Sequence, residues 1–278
     1  MGTLDPARHI THIIVCFLVA QMTRNLMSQL TGLHTESIWS AGTHDRVVAI
    51  KTHYPFSGEG EHLELLENRQ FDRAILVMRS PLHAIPSFFN QIYEKRHGLP
   101  SHTQRGTEEE WIKFRDNPQW GFEHNVNQYE LMITHWMEQF SLRNRLLIVT
   151  YETLVNERSG PTQSMRIAEW LQRTEGVEAM NEQFIPCIWE KVVMSRGWHG
   201  EAGEDGLVPE RPRFTLKETK RKGRYRRSFT DENLQDVMDM LRRLRDRYQY
   251  DPQLVSIVEQ YMQECTKMAM RNAMDNLE

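Results

Sequence analysis

Several signals are missing from this sequence, and each absence removes a class of function. No apolar run reaches the ~18–20 residues that cross a bilayer, so no clear membrane anchor is expected. Cysteine is scarce. Cys16, Cys187 and Cys265 stand far apart, with neither the close pairs of a zinc site nor the even, dense count of a disulfide framework. No G-x-x-x-x-G-K-[ST] loop occurs, which removes the phosphate cradle of nucleotide kinases. Excess positive charge is lacking too: 34 Lys and Arg against 38 Asp and Glu leave a formal net charge of −4, the wrong sign for a general nucleic-acid binder. With no internal repeat and no clear linker, residues 1–278 are expected to form a single domain.

What is present is alternation. Four apolar runs have strand length: His12–Phe17, Val47–Thr52, Ala74–Met78 and Leu146–Thr150. The stretch Ile13–Ala20, after Arg8 and His9, imitates a signal peptide, but Gln21-Met22-Thr23-Arg24 offers no small-residue cleavage site, so a buried first strand is expected. Helical spacing follows over Gln21–Leu30, Pro81–Arg96, Val126–Phe140 and Ser164–Leu171, then over Asp231–Tyr248 and Pro252–Met274. Strands alternating with helices predict an α/β fold with a parallel sheet and right-handed crossovers. His97–Gln119 and about 196–228 are expected to be long polar loops, the second rich in glycine.

Buried parallel strands deliver their chemistry at their carboxyl ends. Lys51 and His53, two positions apart at one such end, would share a face of a strand. There the histidine suits proton abstraction and the lysine suits stabilising negative charge, unless the strand end simply meets solvent. Arg79 ends the next strand, just before a helix opened by Ser80-Pro81, with the serine a natural cap and the proline at the first helical position. An arginine beside free helical amides is an anion site, to which Ser87 would add a hydroxyl if a bend at Pro86 turns it inward. The alternative is a surface ion pair and a serine filling a bend. Tyr151 directly follows the fourth strand, where it would pack on a purine or on the core edge. Lys217–Arg227 carries seven basic residues, and within it Arg221-Lys222-Gly223 combines donors with a glycine that lets amides approach an oxyanion. A solvated basic face is the other reading of that run.

The order of these pieces resembles the sulfotransferases that use 3′-phosphoadenosine 5′-phosphosulfate (PAPS). Lys51-Thr52-His53 is similar to that family's K-T-H motif, and Arg79 with Ser87 to its arginine–serine 3′-phosphate motif. Tyr151-Glu152-Thr153-Leu154 resembles its Y-E-D-L strand end, and Arg221-Lys222-Gly223, followed by Phe229-Thr230, its R-K-G loop. Leu30–Ser37 looks like the T-G-x-x-T-G-S stretch of the WSC-domain-type branch.

The resemblance implies a three-layer parallel sheet of the P-loop nucleoside triphosphate hydrolase type. It also implies sulfuryl transfer from PAPS to a hydroxyl or amine of a small-molecule or carbohydrate acceptor, without a metal. His53 and Lys51 would be catalytic; Arg79, Ser87, Tyr151, Arg221, Lys222 and Gly223 would bind the cofactor. One departure stands out. Where the family has a P-x-S-G-T-T-W loop for the 5′-phosphosulfate, this chain has Phe17–Arg24, with no glycine, proline or lysine. Only Thr23 and Arg24 there offer side-chain donors. A 3′-phosphoadenosine-binding module of the same fold, without turnover, is therefore the alternative expectation. The acceptor is unread: Trp111, Phe114 and Trp120 would either line an aromatic or sugar-binding mouth or latch the domain.

Overall fold

A computed structural model describes residues 13–15, 20–37, 47–53, 73–100, 103–174, 176–194 and 227–275. In chain order the elements are β1 (Ile13–Val15), α1 (Ala20–Thr31), β2 (His34–Ser37), β3 (Val47–Lys51), β4 (Ala74–Met78), α2 (Pro81–Arg96) and α3 (Glu108–Arg115). They continue with α4 (Phe122–Phe140), β5 (Leu146–Thr150), α5 (Tyr151–Leu154), α6 (Gly160–Gln172), α7 (Ile185–Trp189), α8 (Asp231–Arg247) and α9 (Pro252–Asp275). Short 3₁₀ turns at Ser141–Arg143 and Glu182–Phe184 and a π-helical turn at Glu190–Met194 complete the set among the described residues. The fold is mixed α/β and mostly helical, and its described strand pairs are parallel. None of the described helices is long and apolar enough to cross a membrane. The elements fall into two compact units.

The first unit holds β1, α1, β2, β3, α5, α6 and α7. Its strands are parallel, with β3 between β1 and β2: Ile14 lies opposite Ile50, and Glu36 opposite the same residue on the other side. Val47, Val48, Ala49 and Ile50 are buried, as an inner strand requires. Helix α1 packs Leu26, Met27 and Leu30 inward, all with no exposed surface. It stops at Gly32, whose left-handed φ of +67° lets its N–H turn back to the Ser28 carbonyl at 2.8 Å. The Leu30 carbonyl then accepts from the Met180 N–H at 2.6 Å. Trp189 donates its indole N–H to the Leu154 carbonyl at 2.7 Å, which joins the end of α7 to α5.

The second unit holds β4, α2, α3, α4, β5, α8 and α9. Strands β4 and β5 pair in parallel from Ala74 opposite Leu146 to Met78 opposite Thr150. Every residue of β4 is buried. Helices α8 and α9 pack on each other, and α8 also lies on α4. The start of α8 carries a complete capping box: Thr230 Oγ1 accepts from the Asn233 N–H at 3.1 Å, and Asn233 Oδ1 accepts from the Thr230 N–H at 3.2 Å. The Gln253 side-chain amide of α9 donates to the Ile148 carbonyl of β5 at 2.6 Å.

The sequence boundaries hold for β4, β5 and α2, and β3 ends one residue short of expectation. The first strand is found over Ile13–Val15, with its expected flanks outside the described residues. Helices α4 and α6 start four residues earlier than their apolar spacing indicated, at Phe122 and Gly160. Ser164 therefore caps nothing; its hydroxyl bonds back to the Gly160 carbonyl at 3.0 Å inside the helix.

The expected loop over His97–Gln119 is corrected: it contains α3, capped by Thr107, whose Oγ1 accepts from the Glu110 N–H at 3.2 Å. Leu30–Ser37 is the end of α1 and strand β2. Of the second expected loop, residues 196–226 lie outside the described residues.

Candidate functional site

The β4–α2 junction is where the sequence argument concentrates, and it lies wholly in the second unit. Strand β4 runs buried to Met78, Arg79 and Ser80 turn the chain, and Pro81 opens α2. The turn is held by the Arg79 carbonyl, which accepts from the buried Tyr129 hydroxyl at 2.8 Å. It is held also by the Ser80 carbonyl, which accepts from the His83 and Ala84 N–H groups at 2.9 and 2.8 Å. Arg79 is half-buried and Ser80 fully buried. The Ser80 side chain does not cap α2, which corrects the expectation.

A carboxylate from α9 faces this first turn instead. Glu264 Oε1 lies 2.6 Å from His83 Nε2. Burial pushes the Glu264 carboxyl up, but hydrogen bonds from His83 and Ser80 and the charges of His83 and Lys267 outweigh it and hold the group below its ordinary value. One flank of the expected anion site thus carries a resident anion. The two residues expected at this anion site are Arg79, in the turn, and Ser87, which sits two turns into α2 just after Pro86. Ser87 is half-buried, and its hydroxyl makes no hydrogen bond among the described residues.

The remaining site residues are distributed as follows. His53 belongs to the second unit and is half-buried. Lys51 is the last residue of β3 in the first unit, also half-buried. Because β3 ends at Lys51, the two-residue period that put both side chains on one strand face does not extend to His53. Tyr151 is the half-buried first residue of α5, directly after β5, and belongs to the first unit. Arg221, Lys222 and Gly223 lie outside the described residues.

At the place of the family's first phosphate loop, residues 16–19 also lie outside the description. Thr23 has no exposed surface. Arg24 is half-buried and gives an Nη2–H to the Thr35 carbonyl at 2.8 Å.

The aromatic residues of α3 prove to be core. Trp111 has no exposed surface and Phe114 only 3%. They pack with Phe89, Phe122 and Phe229 at centroid separations from 5.3 Å (Phe89–Phe114) to 6.3 Å (Trp111–Phe122). The latch alternative is the one realised for these two. Trp120 remains 37% exposed, with the Arg96 guanidinium 4.9 Å from its ring centre.

Sequence reasoning missed Arg227, Asn90 and Glu264. Arg227 ends the basic run, yet it is 7% exposed and turned inward. Its Nη2 donates to Asn90 Oδ1 at 2.8 Å and to the Gly106 carbonyl at 2.7 Å. Its Nη1 donates to the Thr107 carbonyl at 2.9 Å, with Glu108 Oε2 at 3.4 Å. The guanidinium lies 4.8 Å over the Phe89 ring. A run of like charges gives no hint that one member is a core cation; the only signal was Phe229-Thr230 just beyond it, which marks the entry to α8.

No protein-family model matches the chain, and no curated protein matches it. The functional reading therefore rests on the residues themselves.

Proposed function

We propose that the chain is a PAPS-dependent sulfotransferase of the three-layer, P-loop-like parallel type, acting on a hydroxyl or amine of a small-molecule or carbohydrate acceptor. The observation that carries the reading is the β4–α2 junction. A fully buried strand ends at Met78, Arg79 follows it, a proline-led helix starts two residues later, and the half-buried Ser87 hydroxyl is uncommitted among the described residues. A guanidinium and a hydroxyl spaced this way suit a phosphomonoester dianion.

In this reading Arg79 and Ser87, with Arg221, Lys222 and the Gly223 amide, hold the 3′-phosphate of the donor, and Tyr151 contacts its adenine. His53 takes the acceptor proton while the acceptor oxygen or nitrogen bonds to sulfur and the bond from sulfur to the bridging phosphate oxygen breaks. Lys51 balances the charge that collects on that oxygen. No metal is assigned, because the cationic side chains supply the neutralisation.

A second reading has its own observation. Thr23 is buried and Arg24 is committed to the Thr35 carbonyl, so neither is set to grip a 5′-phosphosulfate. A protein that binds 3′-phosphoadenosine but does not turn over follows from that. Calorimetric titration with PAPS and with 3′-phosphoadenosine 5′-phosphate, followed by an acceptor screen, separates the two. The enzyme transfers sulfate and loses transfer in His53→Ala while that variant still binds nucleotide. The binding module takes both nucleotides equally and transfers nothing. Absence of binding by the folded chain overturns both.

A further inference from the structure

We infer that Arg227 is a positioning residue for the 3′-phosphate side of this site, an inference that rests on the reading just given. Helix α2 has a weak point. Pro86 has no N–H to give the Leu82 carbonyl, so the helix loses one hydrogen bond at the turn that carries Ser87. The direction of the Ser87 hydroxyl then depends on how firmly the next turn is held from outside.

That turn is held by Arg227. Its guanidinium stacks on Phe89 and bonds Asn90, two and three residues after Ser87, and Asn90 Oδ1 also accepts from the Gly106 N–H at 3.2 Å. Ser87 and Asn90 are neighbours on the helix surface by their three-residue spacing. The cation is buried among carbonyl oxygens and aromatic faces, with 4% of its side chain exposed, so its place is fixed rather than sampled.

The clamp has no slack on its far side. A Cβ on Gly106 would come within 2.6 Å of the Phe89 ring, so only glycine lets that backbone reach both Asn90 and Arg227. Ser228, the next residue, is pinned as well: its N–H donates to Glu108 Oε1 at 2.9 Å, and its carbonyl accepts the Trp111 indole N–H at 2.7 Å. One side chain thereby holds the turn after Ser87.

The test compares two nucleotides that differ only in the 3′-phosphate. The full chain and its Arg227→Lys and Glu108→Gln variants are titrated calorimetrically with 3′-phosphoadenosine 5′-phosphate and with adenosine 5′-monophosphate, with near-ultraviolet circular dichroism recorded for each. Lysine keeps the charge but not the two-pronged donor set. The expected result is a preference of tenfold or more for the 3′-phosphorylated nucleotide in the parent chain. That preference falls below threefold in Arg227→Lys, with affinity for the monophosphate unchanged, and takes an intermediate value in Glu108→Gln.

If Arg227→Lys does not fold, the milder Glu108→Gln carries the test, and an undiminished preference there overturns the role. A folded Arg227→Lys that keeps the full preference, or loses both nucleotides in parallel, overturns it too. A parent chain with no preference fails differently: it overturns the nucleotide reading itself.

Discussion

Arg79 and Arg24 make a useful pair. Each sits close to a strand-to-helix connection, each is half-buried, and each is the cation that a phosphate-binding argument would choose there. At Arg79 the backbone of the turn is satisfied from elsewhere, by the Tyr129 hydroxyl on the Arg79 carbonyl and by the helix's own amides on Ser80. At Arg24 the guanidinium itself does the satisfying, through its bond to the Thr35 carbonyl in β2. The difference teaches that two similar strand-to-helix connections satisfy their backbone carbonyls by different means. The Arg79 carbonyl is met by a tyrosine hydroxyl, whereas the Thr35 carbonyl draws the neighbouring Arg24 guanidinium into structure.

The largest effect that would break this comparison is on nucleotide binding. Arg79→Ala should weaken 3′-phosphoadenosine 5′-phosphate by roughly 10- to 150-fold, the range for a charge-assisted bond of about 1.5–3 kcal/mol. Arg24→Ala should change it less than about threefold while lowering stability by about 1 kcal/mol. Calorimetry and urea denaturation of the two variants give both numbers, and equal losses of affinity would erase the distinction.

Next in size is Gly106→Ala. Its methyl would press on the Phe89 ring inside the aromatic cluster, so a stability loss of about 1–3 kcal/mol is expected from the denaturation midpoint. An unchanged midpoint would mean the ring moves aside at little cost and that the support behind α2 is soft.

A smaller effect concerns the carboxylate beside the junction. Glu264 is held below its ordinary value in the folded protein, so its contribution to stability is complete above about pH 4.3 and is lost as pH falls through the depressed value. Thermal unfolding followed from pH 6 to pH 3 should therefore show a shallower acid decline in Glu264→Gln than in the parent chain. Parallel curves would remove Glu264 from the account of this turn.

The smallest effect gives a chemical reporter for each unit. Burial, with the neighbouring Glu264 charge, pushes the Cys265 thiol up to about 11, and its sulfur lies 3.2 Å from the Leu234 carbonyl. Cys187 on α7 is exposed. At pH 8, iodoacetamide should modify Cys187 at least tenfold faster than Cys265, as read by peptide mass spectrometry. Comparable rates would show that α9 opens readily.

Much of the fold was legible wherever local chemistry and burial agree. Strands β4 and β5 are apolar runs that end in charge or turn, and α2 and α8 begin at proline and at a threonine cap, so their limits follow from residue types alone. Strand β2 was illegible because His-Thr-Glu-Ser has no apolar alternation; only its pairing with β3 makes it a strand. Helix α3 did carry a signal, since Thr107-x-x-Glu110 has the capping-box spacing. Three consecutive glutamates and a nearby glycine and proline hid it.

In the candidate site, only the local placement of residues was legible. Arg79 and Ser87 stand where a strand end and a helix turn would put them. His53 lies two residues beyond the end of β3, so strand periodicity alone does not fix its face. Glu264 and Arg227 were invisible because their roles arise from residues 181 and more than a hundred positions away in the chain.

The contact between Gln253 and the Ile148 carbonyl has a consequence for solution behaviour. A row of unpaired strand carbonyls invites another chain to add on. By putting a side-chain amide on the Ile148 carbonyl, α9 gives one acceptor of β5 a partner within the chain, so that this carbonyl is no longer open to an added strand.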